Sequence, residues 1–325
     1  MHGLKGSFSA SRGCIVVKKV GSNTLKDIPM SSMVAEIAAS ELRPEIFQAS
    51  YVRKGLPLVI RHVAQPQELF SFEEFCRETA RREVSVCEYG RRRGPKWRWS
   101  RYCHRYALPV DEYVRMLGDG RAQLRDIYLS LLPIGSMESA ARARRFFDNL
   151  GQHYGLQRLA RDMEGYLWIG PVGHVEPLHT DEGDNTLFQV CGTKRMIIFP
   201  ATQMRNLYSF PLFGPIPPWV CRVDIDHPDH QRFPGLKYAL AEQQEVIIEP
   251  GDLLYLPSQW GHETTILAGA PCISLTRQWK LTPWLRNFCT TRCALYYFRR
   301  QLPRGWIDRA HGFLAALRAP RALRP

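Results

Sequence analysis

Three pairs of a histidine and an acid, separated by a single residue, are the features of this sequence most able to do chemistry. The three pairs are His174 with Glu176, His179 with Asp181, and His227 with Asp229. On a β-strand, residues two positions apart point to the same side, so both members of a pair can bind one ion. Two histidines and one carboxylate on one face of an octahedral metal leave three positions open, as in non-haem Fe(II) oxygenases.

The surroundings of the three pairs differ. His227 lies in a polar stretch with several prolines, where we expect no strand to hold it. His174 follows Gly170, Pro171 and Gly173, which predicts a turn. His179 instead precedes strand-like segments, which makes its pair the best candidate for a metal site. A third ligand must then come from elsewhere in the chain.

The elements that would position this site change in character along the chain. After Gly165, short strand-like runs alternate with Gly and Pro, which predicts an all-β sandwich or barrel. These runs are Tyr166–Ile169, Thr186–Val190, Met196–Phe199, Val246–Ile248, Leu253–Leu256 and Cys272–Leu275. Before Gly165 the pattern predicts short helices in Met33–Phe47, strands at Pro57–Ile60 and Glu83–Tyr89, a helix at Phe70–Arg81 and mostly helix in Val110–Leu150.

Two blocks of this sequence resemble the iron-ligand motifs of JmjC-type Fe(II)/2-oxoglutarate hydroxylases, a branch of the cupin superfamily. They are HTDEGDNTLFQVCGTKRMIIFP, which begins at His179, and PGDLLYLPSQWGH, which ends at His262. The stretch VDIDHPDHQRFPGL is similar to the members that hydroxylate asparagine in hypoxia-inducible factor and wybutosine in tRNA.

The resemblance implies a mainly β double-stranded β-helix of the cupin or jelly-roll type, with N-terminal α/β elements and C-terminal helices. We therefore expect a disordered tail at 1–32 and an N-terminal region at 33–165 that packs on the barrel. The JmjC/cupin catalytic core would follow at 166–282, and the C-terminal helices at 283–325.

The same resemblance implies that His179, Asp181 and His262 hold Fe(II), with 2-oxoglutarate and O2 as cosubstrates. Lys194 would provide the cation for the distal carboxylate of 2-oxoglutarate, since a buried Lys on a strand is otherwise costly. The alternative for Lys194 is a solvated strand residue.

Four further residues follow from the resemblance or depart from it. Asn185 would lie near the iron-bound carboxylate, and the hydroxyl of Tyr128 would support the distal one, unless Tyr128 is simply a core aromatic. Glu176 stands where the asparaginyl hydroxylases have a threonine that contacts the cosubstrate. Arg277 stands where they have an asparagine, and it would either clamp an anionic group or pair with Glu176.

The charge of the chain predicts an anionic partner. Lys and Arg number 44 against 31 Asp and Glu, a net charge of +13. One segment is rich in cations interleaved with Trp97, Trp99, Tyr102 and Tyr106, a pattern typical of contact with single-stranded nucleic acid. Its candidate nucleic-acid-binding residues are Arg91, Arg92, Arg93, Lys96, Arg98 and Arg101. The alternative is a solvated basic strand or hairpin with ordinary aromatic packing.

These features leave several functions open. We expect a dioxygenase that hydroxylates a macromolecule, with a protein side chain favoured over a tRNA base. A histone lysine demethylase and a non-catalytic cupin scaffold are weaker alternatives.

Other sequence features bear on the location and the oligomeric state of the protein. No apolar run reaches 18 residues, so no membrane-spanning segment is predicted. The nine cysteines form no CxxC pair, which favours free thiols in the cytoplasm or nucleus, while the basic first 26 residues leave a mitochondrial location as an alternative. An apolar stripe predicts a C-terminal helix that either forms a homodimer or packs on its own barrel. It comprises Trp306, Ala310, Phe313, Leu314 and Leu317.

Overall fold

Strands form most of the framework of this chain. The computed structural model describes residues 34–90, 95–158, 164–181, 183–211 and 216–280. Its strands are β1 Ala35–Ala38, β2 Leu58–Arg61, β3 Glu83–Glu88, β4 His104–Pro109, β5 Ile127–Pro133, β6 Tyr166–Gly170, β7 Val175–His179, β8 Asp184–Phe199, β9 Gln244–Ile248, β10 Leu253–Leu256 and β11 Gly261–Trp279.

Helices occupy mainly the N-terminal half of the described residues. They are α1 Pro44–Ile46, α2 Pro66–Leu69, α3 Phe72–Thr79, α4 Trp97–Tyr102, α5 Val110–Gly118, α6 Arg121–Arg125, α7 Ala141–Tyr154 and α8 Leu236–Ala241. A π-helical segment, Phe47–Val52, and two 3₁₀ segments, Glu138–Ala140 and Ala201–Leu207, complete them. No helix among the described residues has the length and apolar character needed to cross a membrane.

The strands form one continuous network in the order β1-β2-β10-β8-β11-β6-β5-β3-β4, with β7 paired to β11 and β9 paired to β8. The two longest strands each change partner along their length. The first part of β8 pairs with β10 and its second part with β9, while β11 pairs first with β7 and then with β6. Long strands that pass from one sheet to another are typical of β-sandwiches and barrels. The predicted mainly β, jelly-roll class is confirmed.

The change of partner occurs where two glycines meet. Gly192 in β8 and Gly269 in β11 both have positive φ, +75° and +101°. A Cβ on Gly192 would lie 2.3 Å from the carbonyl oxygen of Ala268. Only glycine therefore allows β8 and β11 to approach this closely while both strands bend.

The helices cover the sheet through apolar faces. Phe75 of α3, Tyr113 of α5 and Phe147 of α7 are all buried in the largest core cluster, which also includes Phe188 of β8. The predicted N-cap of α3 is present, since the Ser71 hydroxyl accepts a hydrogen bond from the Glu74 amide at 3.2 Å. The helical prediction for Phe70–Arg81 is thus confirmed with slightly shorter bounds.

Two helical predictions are wrong at one strand each, although helix still makes up most of Val110–Leu150. Part of Met33–Phe47 is the strand β1, which pairs in parallel with β2, and part of Val110–Leu150 is the strand β5. In β1 the short sequence Ala-Glu-Ile-Ala has no strand preference of its own, and pairing with the buried β2 determines its structure. In β5 the leucine-rich sequence hides the alternation, and β5 is held between β3 and β6.

Some predictions fall outside the described residues. These are the disordered tail at 1–32, the C-terminal helices at 283–325 with their apolar stripe, and the cluster Arg91–Arg93.

Candidate metal centre and cosubstrate pocket

Three potential metal ligands come together where β7 and β11 begin to pair. His179 is the last residue of β7, and it lies directly opposite His262 near the start of β11. Asp181 follows in the loop that leads into β8. One ligand atom from each of the three residues lies within 4.8 Å of the others. The structure therefore brings together the three predicted ligands, although they are distant in sequence.

The geometry of this cluster fits a metal ion. The Nε2 atoms of His179 and His262 lie 4.0 and 3.9 Å from the two carboxylate oxygens of Asp181. The Nδ1 atom of each ring contacts a backbone carbonyl oxygen, which fixes the orientation of the ring. Nδ1 of His179 lies 2.7 Å from the Pro177 oxygen, and Nδ1 of His262 lies 3.2 Å from the Trp260 oxygen. Metal-ligating histidines commonly use the second nitrogen this way.

The charge state of His262 suits a ligand. Burial and the neighbouring His179 lower the pKa of His262 to about 4, against the opposing effect of Asp181. The ring is therefore neutral at physiological pH, and a neutral imidazole offers a lone pair to a metal.

Asn185 contacts the predicted acidic ligand, Asp181. Its side-chain amide donates a hydrogen bond of 2.8 Å to Oδ2 of Asp181. Its own carbonyl oxygen is buried and has no partner among the described residues. Asn185 is predicted to lie beside an iron-bound carboxylate of the cosubstrate, and the contact that the structure shows is with Asp181.

The other two histidine–acid pairs are not metal clusters. The side chain of His227 is 86% exposed, and its nearest acid is Asp224 at 3.8 Å. His174 is buried, and its Nδ1 atom lies 2.9 Å from Oδ1 of Asp126. His179, Asp181 and His262 are the only such group found among the described residues.

A buried lysine lies on β8, opposite the part of β11 that follows the candidate ligand His262. Lys194 of β8 lies opposite Ile266 of β11 and is only 2% exposed. Ile266 packs in one cluster with Tyr128 and Cys272. Burial lowers the pKa of Lys194, while Cys272 and Glu176 act to raise it. Among the described residues, no hydrogen bond or ion pair engages the Lys194 ammonium, which leaves it available for an anion.

Tyr128 is buried beside Ile266, the residue opposite Lys194. Its ring stacks on the ring of His174 with a centroid separation of 3.8 Å, and it packs so closely on Gly170 that a Cβ there would lie 2.5 Å from the ring. Burial raises the pKa of Tyr128 well above its usual value, so its hydroxyl stays protonated and can donate a hydrogen bond.

Comparisons with known proteins fit this geometry. Residues 44–283 match the cupin-like domain family, which is most of the chain. The chain belongs to the cupin-like domain family. The match extends beyond the barrel into the N-terminal region, and the resemblance to JmjC-type proteins is confirmed by the curated relatives.

Three of these relatives show the range of the resemblance. Lysine-specific demethylase 8 of Xenopus tropicalis is 36% identical over 95 residues, 29% of this chain and 20% of its own length. Jumonji C domain-containing protein 5 of Drosophila melanogaster is 33% identical over 113 residues, 35% of this chain and 27% of its own length. tRNA wybutosine-synthesizing protein 5 of Danio rerio is 27% identical over 169 residues, 49% of each chain. This cupin-like chain thus matches between a fifth and about half of each relative's length.

The role predicted for Arg277 is wrong. The Arg277 side chain is fully buried, and its guanidinium donates hydrogen bonds to Asp148 of α7 at 2.6 Å and to the Glu164 carbonyl oxygen at 2.9 Å. It also lies over the Phe147 ring. Arg277 therefore fastens α7 to β11, and its contacts with the described residues do not include Glu176.

The nucleic-acid role predicted for Lys96 is also wrong. Lys96 is 3% exposed, and its ammonium contacts the carboxylates of Glu263 and Asp226, the latter at 2.5 Å. These contacts raise its pKa although burial acts to lower it. Such a buried cation cannot reach a phosphate.

The rest of the basic segment gives a mixed picture. Trp97 packs edge-on against Phe210 with a centroid separation of 5.2 Å, so it belongs to the packed structure. Arg98 is exposed and lies over the Trp97 ring. Arg91, Arg92, Arg93 and the side chain of Arg101 lie outside the described residues.

Sequence reasoning missed the residues that contact Tyr128 and Glu176. His174 and Asp126 form a buried hydrogen-bonded pair, and the Tyr89 hydroxyl donates to Glu176 at 3.1 Å. His174 belongs to one of the three histidine–acid pairs, but the glycines and proline before it predict a turn and give no sign of its buried contacts. Asp126 and Tyr89 carry no local sequence signal, because their partners are distant in the chain.

Proposed function

We propose that this chain is an Fe(II)- and 2-oxoglutarate-dependent oxygenase that hydroxylates a protein side chain. The observation that supports this most is the cluster of His179, Asp181 and His262, with both Nε2 atoms turned toward one carboxylate. Two histidines and one carboxylate are the ligand set of non-haem Fe(II) oxygenases. The cupin-like family and the names of the JmjC relatives agree with it.

The residues of the pocket would divide the work of binding. His179, Asp181 and His262 would hold Fe(II), and Lys194 would pair with the distal carboxylate of 2-oxoglutarate, since a charge-assisted hydrogen bond is among the stronger polar contacts. The Tyr128 hydroxyl would donate to the same carboxylate. Fe(II) would supply the means to oxidise a substrate C–H bond with O2, while 2-oxoglutarate becomes succinate and CO2.

The packing of two residues of the basic segment favours a protein substrate. Lys96 forms internal ion pairs, and Trp97 packs against Phe210. Two members of the predicted RNA-binding segment therefore have structural roles. An extended peptide that passes the metal centre needs no phosphate-binding surface.

A tRNA base is the second candidate. The match to tRNA wybutosine-synthesizing protein 5 covers 49% of this chain, more than the matches to the other two relatives named above. Exposed Arg98 over Trp97 offers one cationic, aromatic surface. If tRNA is the substrate, its affinity should fall roughly tenfold or more between about 50 and 200 mM salt, and replacing Arg91, Arg92 and Arg93 by Ser should flatten that dependence.

The test is turnover together with identification of the product. Purified protein with Fe(II) and 2-oxoglutarate should form succinate, and the His179→Ala variant should form none. Mass spectrometry of proteins and bulk tRNA from cells with intact or His179→Ala protein should show a mass increase of one oxygen that depends on His179. Intact protein that forms no succinate under any condition and leaves both pools unchanged would instead support a non-catalytic scaffold.

A further inference from the structure

One acidic side chain lies where the proposed cosubstrate would extend. Along β11, His262, Thr264 and Ile266 occupy alternate positions of one face. Their partners on the neighbouring strands are His179, Glu176 and Lys194 respectively. Glu176 thus lies at the level between the metal ligands and the Lys194 ammonium.

The electrostatic reach of Glu176 agrees with this position. Its negative charge acts to raise the pKa of Lys194, of Tyr128 and of the candidate ligand His262. Its side chain is 24% exposed, similar to the 21% of His179.

The surrounding residues hold Glu176 as an anion. Its Oε2 atom accepts the Tyr89 hydroxyl at 3.1 Å and lies 3.7 Å from Nε2 of His174. The other nitrogen of that buried imidazole is fixed by Asp126. Burial acts to raise the pKa of Glu176, but these contacts and the nearby His179 lower it overall.

The negative charge of Glu176 changes which 2-oxo acids would bind best next to Lys194. Lys194 would attract a distal carboxylate, whereas the negative charge of Glu176, which already acts on Lys194, would repel that carboxylate. In a cavity shielded from bulk water, like charges a few ångströms apart repel strongly. A 2-oxo acid with an uncharged distal end escapes this repulsion.

We propose that Glu176 determines cosubstrate specificity, lowering the affinity for a 2-oxo dicarboxylate relative to a 2-oxo monocarboxylate of the same chain length. The inference rests on the proposed function, because it assumes that the metal centre binds the 2-oxo acid end.

The test compares two ligands on protein loaded with Mn(II), which permits binding measurements without turnover. Isothermal titration gives the dissociation constants of 2-oxoglutarate and 2-oxovalerate. Glu176→Gln should bind 2-oxoglutarate at least about tenfold more tightly than the wild type and 2-oxovalerate within about twofold of it. Glu176→Thr removes the same charge with a smaller side chain and should shift the ratio in the same direction.

Two control variants isolate the charge of Glu176. Glu245→Gln removes a carboxylate that pairs with Arg195, the neighbour of Lys194, and should leave both affinities unchanged. Tyr89→Phe removes a hydrogen bond to Glu176 but keeps its charge, so it should change the ratio by less than about threefold.

The outcomes separate the two proposals. Equal affinity ratios in the wild type, Glu176→Gln and Glu176→Thr, or weaker binding of 2-oxoglutarate by both variants, would overturn the role of Glu176 and leave the proposed function intact. If the wild type and all variants bind Mn(II) but neither 2-oxo acid, the proposed function fails, and this inference fails with it.

Discussion

At the scale of single residues, the candidate metal site depends on neighbouring side chains that orient the metal-binding residues, and Asn185 is one of them. The amide of Asn185 donates to Asp181 at 2.8 Å, and it is the only side-chain hydrogen bond recorded for that carboxylate among the described residues. Without it, Asp181 would have more rotational freedom and would lose orientation toward the two histidines.

Asn185→Ala should therefore weaken metal binding by about tenfold or more, the usual cost of removing a partner of a metal ligand. Competition with a chelating dye for Mn(II) measures this affinity. Asn206→Ala is a matched control, since Asn206 donates only to Gln203 in the 3₁₀ segment outside the site. Equal affinity in the wild type and Asn185→Ala would show that Asp181 needs no such support.

Lys194 provides the second prediction at this scale. If its ammonium pairs with the distal carboxylate, Lys194→Ala should raise the 2-oxoglutarate concentration needed for half-maximal succinate formation by roughly tenfold or more, because a hydrogen bond to a charged group contributes about 1.5–3 kcal/mol.

The adjacent residue supplies the control for Lys194. Arg195 is on the opposite face of β8 and pairs with Glu245 at 2.8 Å, so Arg195→Ala should leave the dependence unchanged. An unaltered dependence in Lys194→Ala would require another cation for the carboxylate, and Arg277 is excluded by its pairing with Asp148.

At the scale of elements, Lys96 fastens α4 to the barrel. Its ammonium contacts Glu263, which follows the ligand His262 in β11, and Asp226 in the loop before α8. Glu263 is 5% exposed, and its second oxygen has no hydrogen-bond partner among the described residues. Removing Lys96 would leave this carboxylate buried without its cation.

Lys96→Met should lower the free energy of unfolding by about 3 kcal/mol, the cost typical of breaking a buried pair from one side. Exposed Asp226 should contribute little to this loss, because water screens it. Chemical denaturation measures the change. Lys237→Met, at an exposed position in α8, should cost far less.

The double variant Lys96→Met with Glu263→Met separates the ion pair from its packing. Because it removes both charges, it should recover much of the lost stability. If the double variant is as unstable as the sum of the two single variants, the pair contributes through packing alone.

The same elements show what sequence reasoning could and could not predict. Strands with apolar runs, such as Leu253–Leu256, were predicted with their observed bounds, and the three ligands followed from motif order. Lys96 was misassigned because its partners lie far away in sequence, with Glu263 separated from it by 167 positions. A run of positive charge shows no sign locally that a distant acid neutralises one member.

At the scale of the whole molecule, the fold class could be predicted from local sequence patterns, whereas contacts between distant segments could not. Hydrophobic alternation and Gly/Pro spacing are local, and they indicated the mainly β class. The strands β1 and β5 were missed because they are strands only through pairing with β2, β3 and β6. The role of Arg277 was missed for the same reason, because α7 packs against β11 only in the folded chain.

The central claim is that His179, Asp181 and His262 form an Fe(II) site that accepts 2-oxoglutarate. Anaerobic titration tests it most directly, with dialysis to count bound Fe(II) and absorbance to detect the weak visible band that forms when 2-oxoglutarate is added. Wild-type protein should bind one Fe(II) per chain and develop the band, as should His227→Ala, which alters an exposed histidine of another histidine–acid pair. Asp181→Ala should do neither. Full Fe(II) binding and an unchanged band in Asp181→Ala would contradict the account.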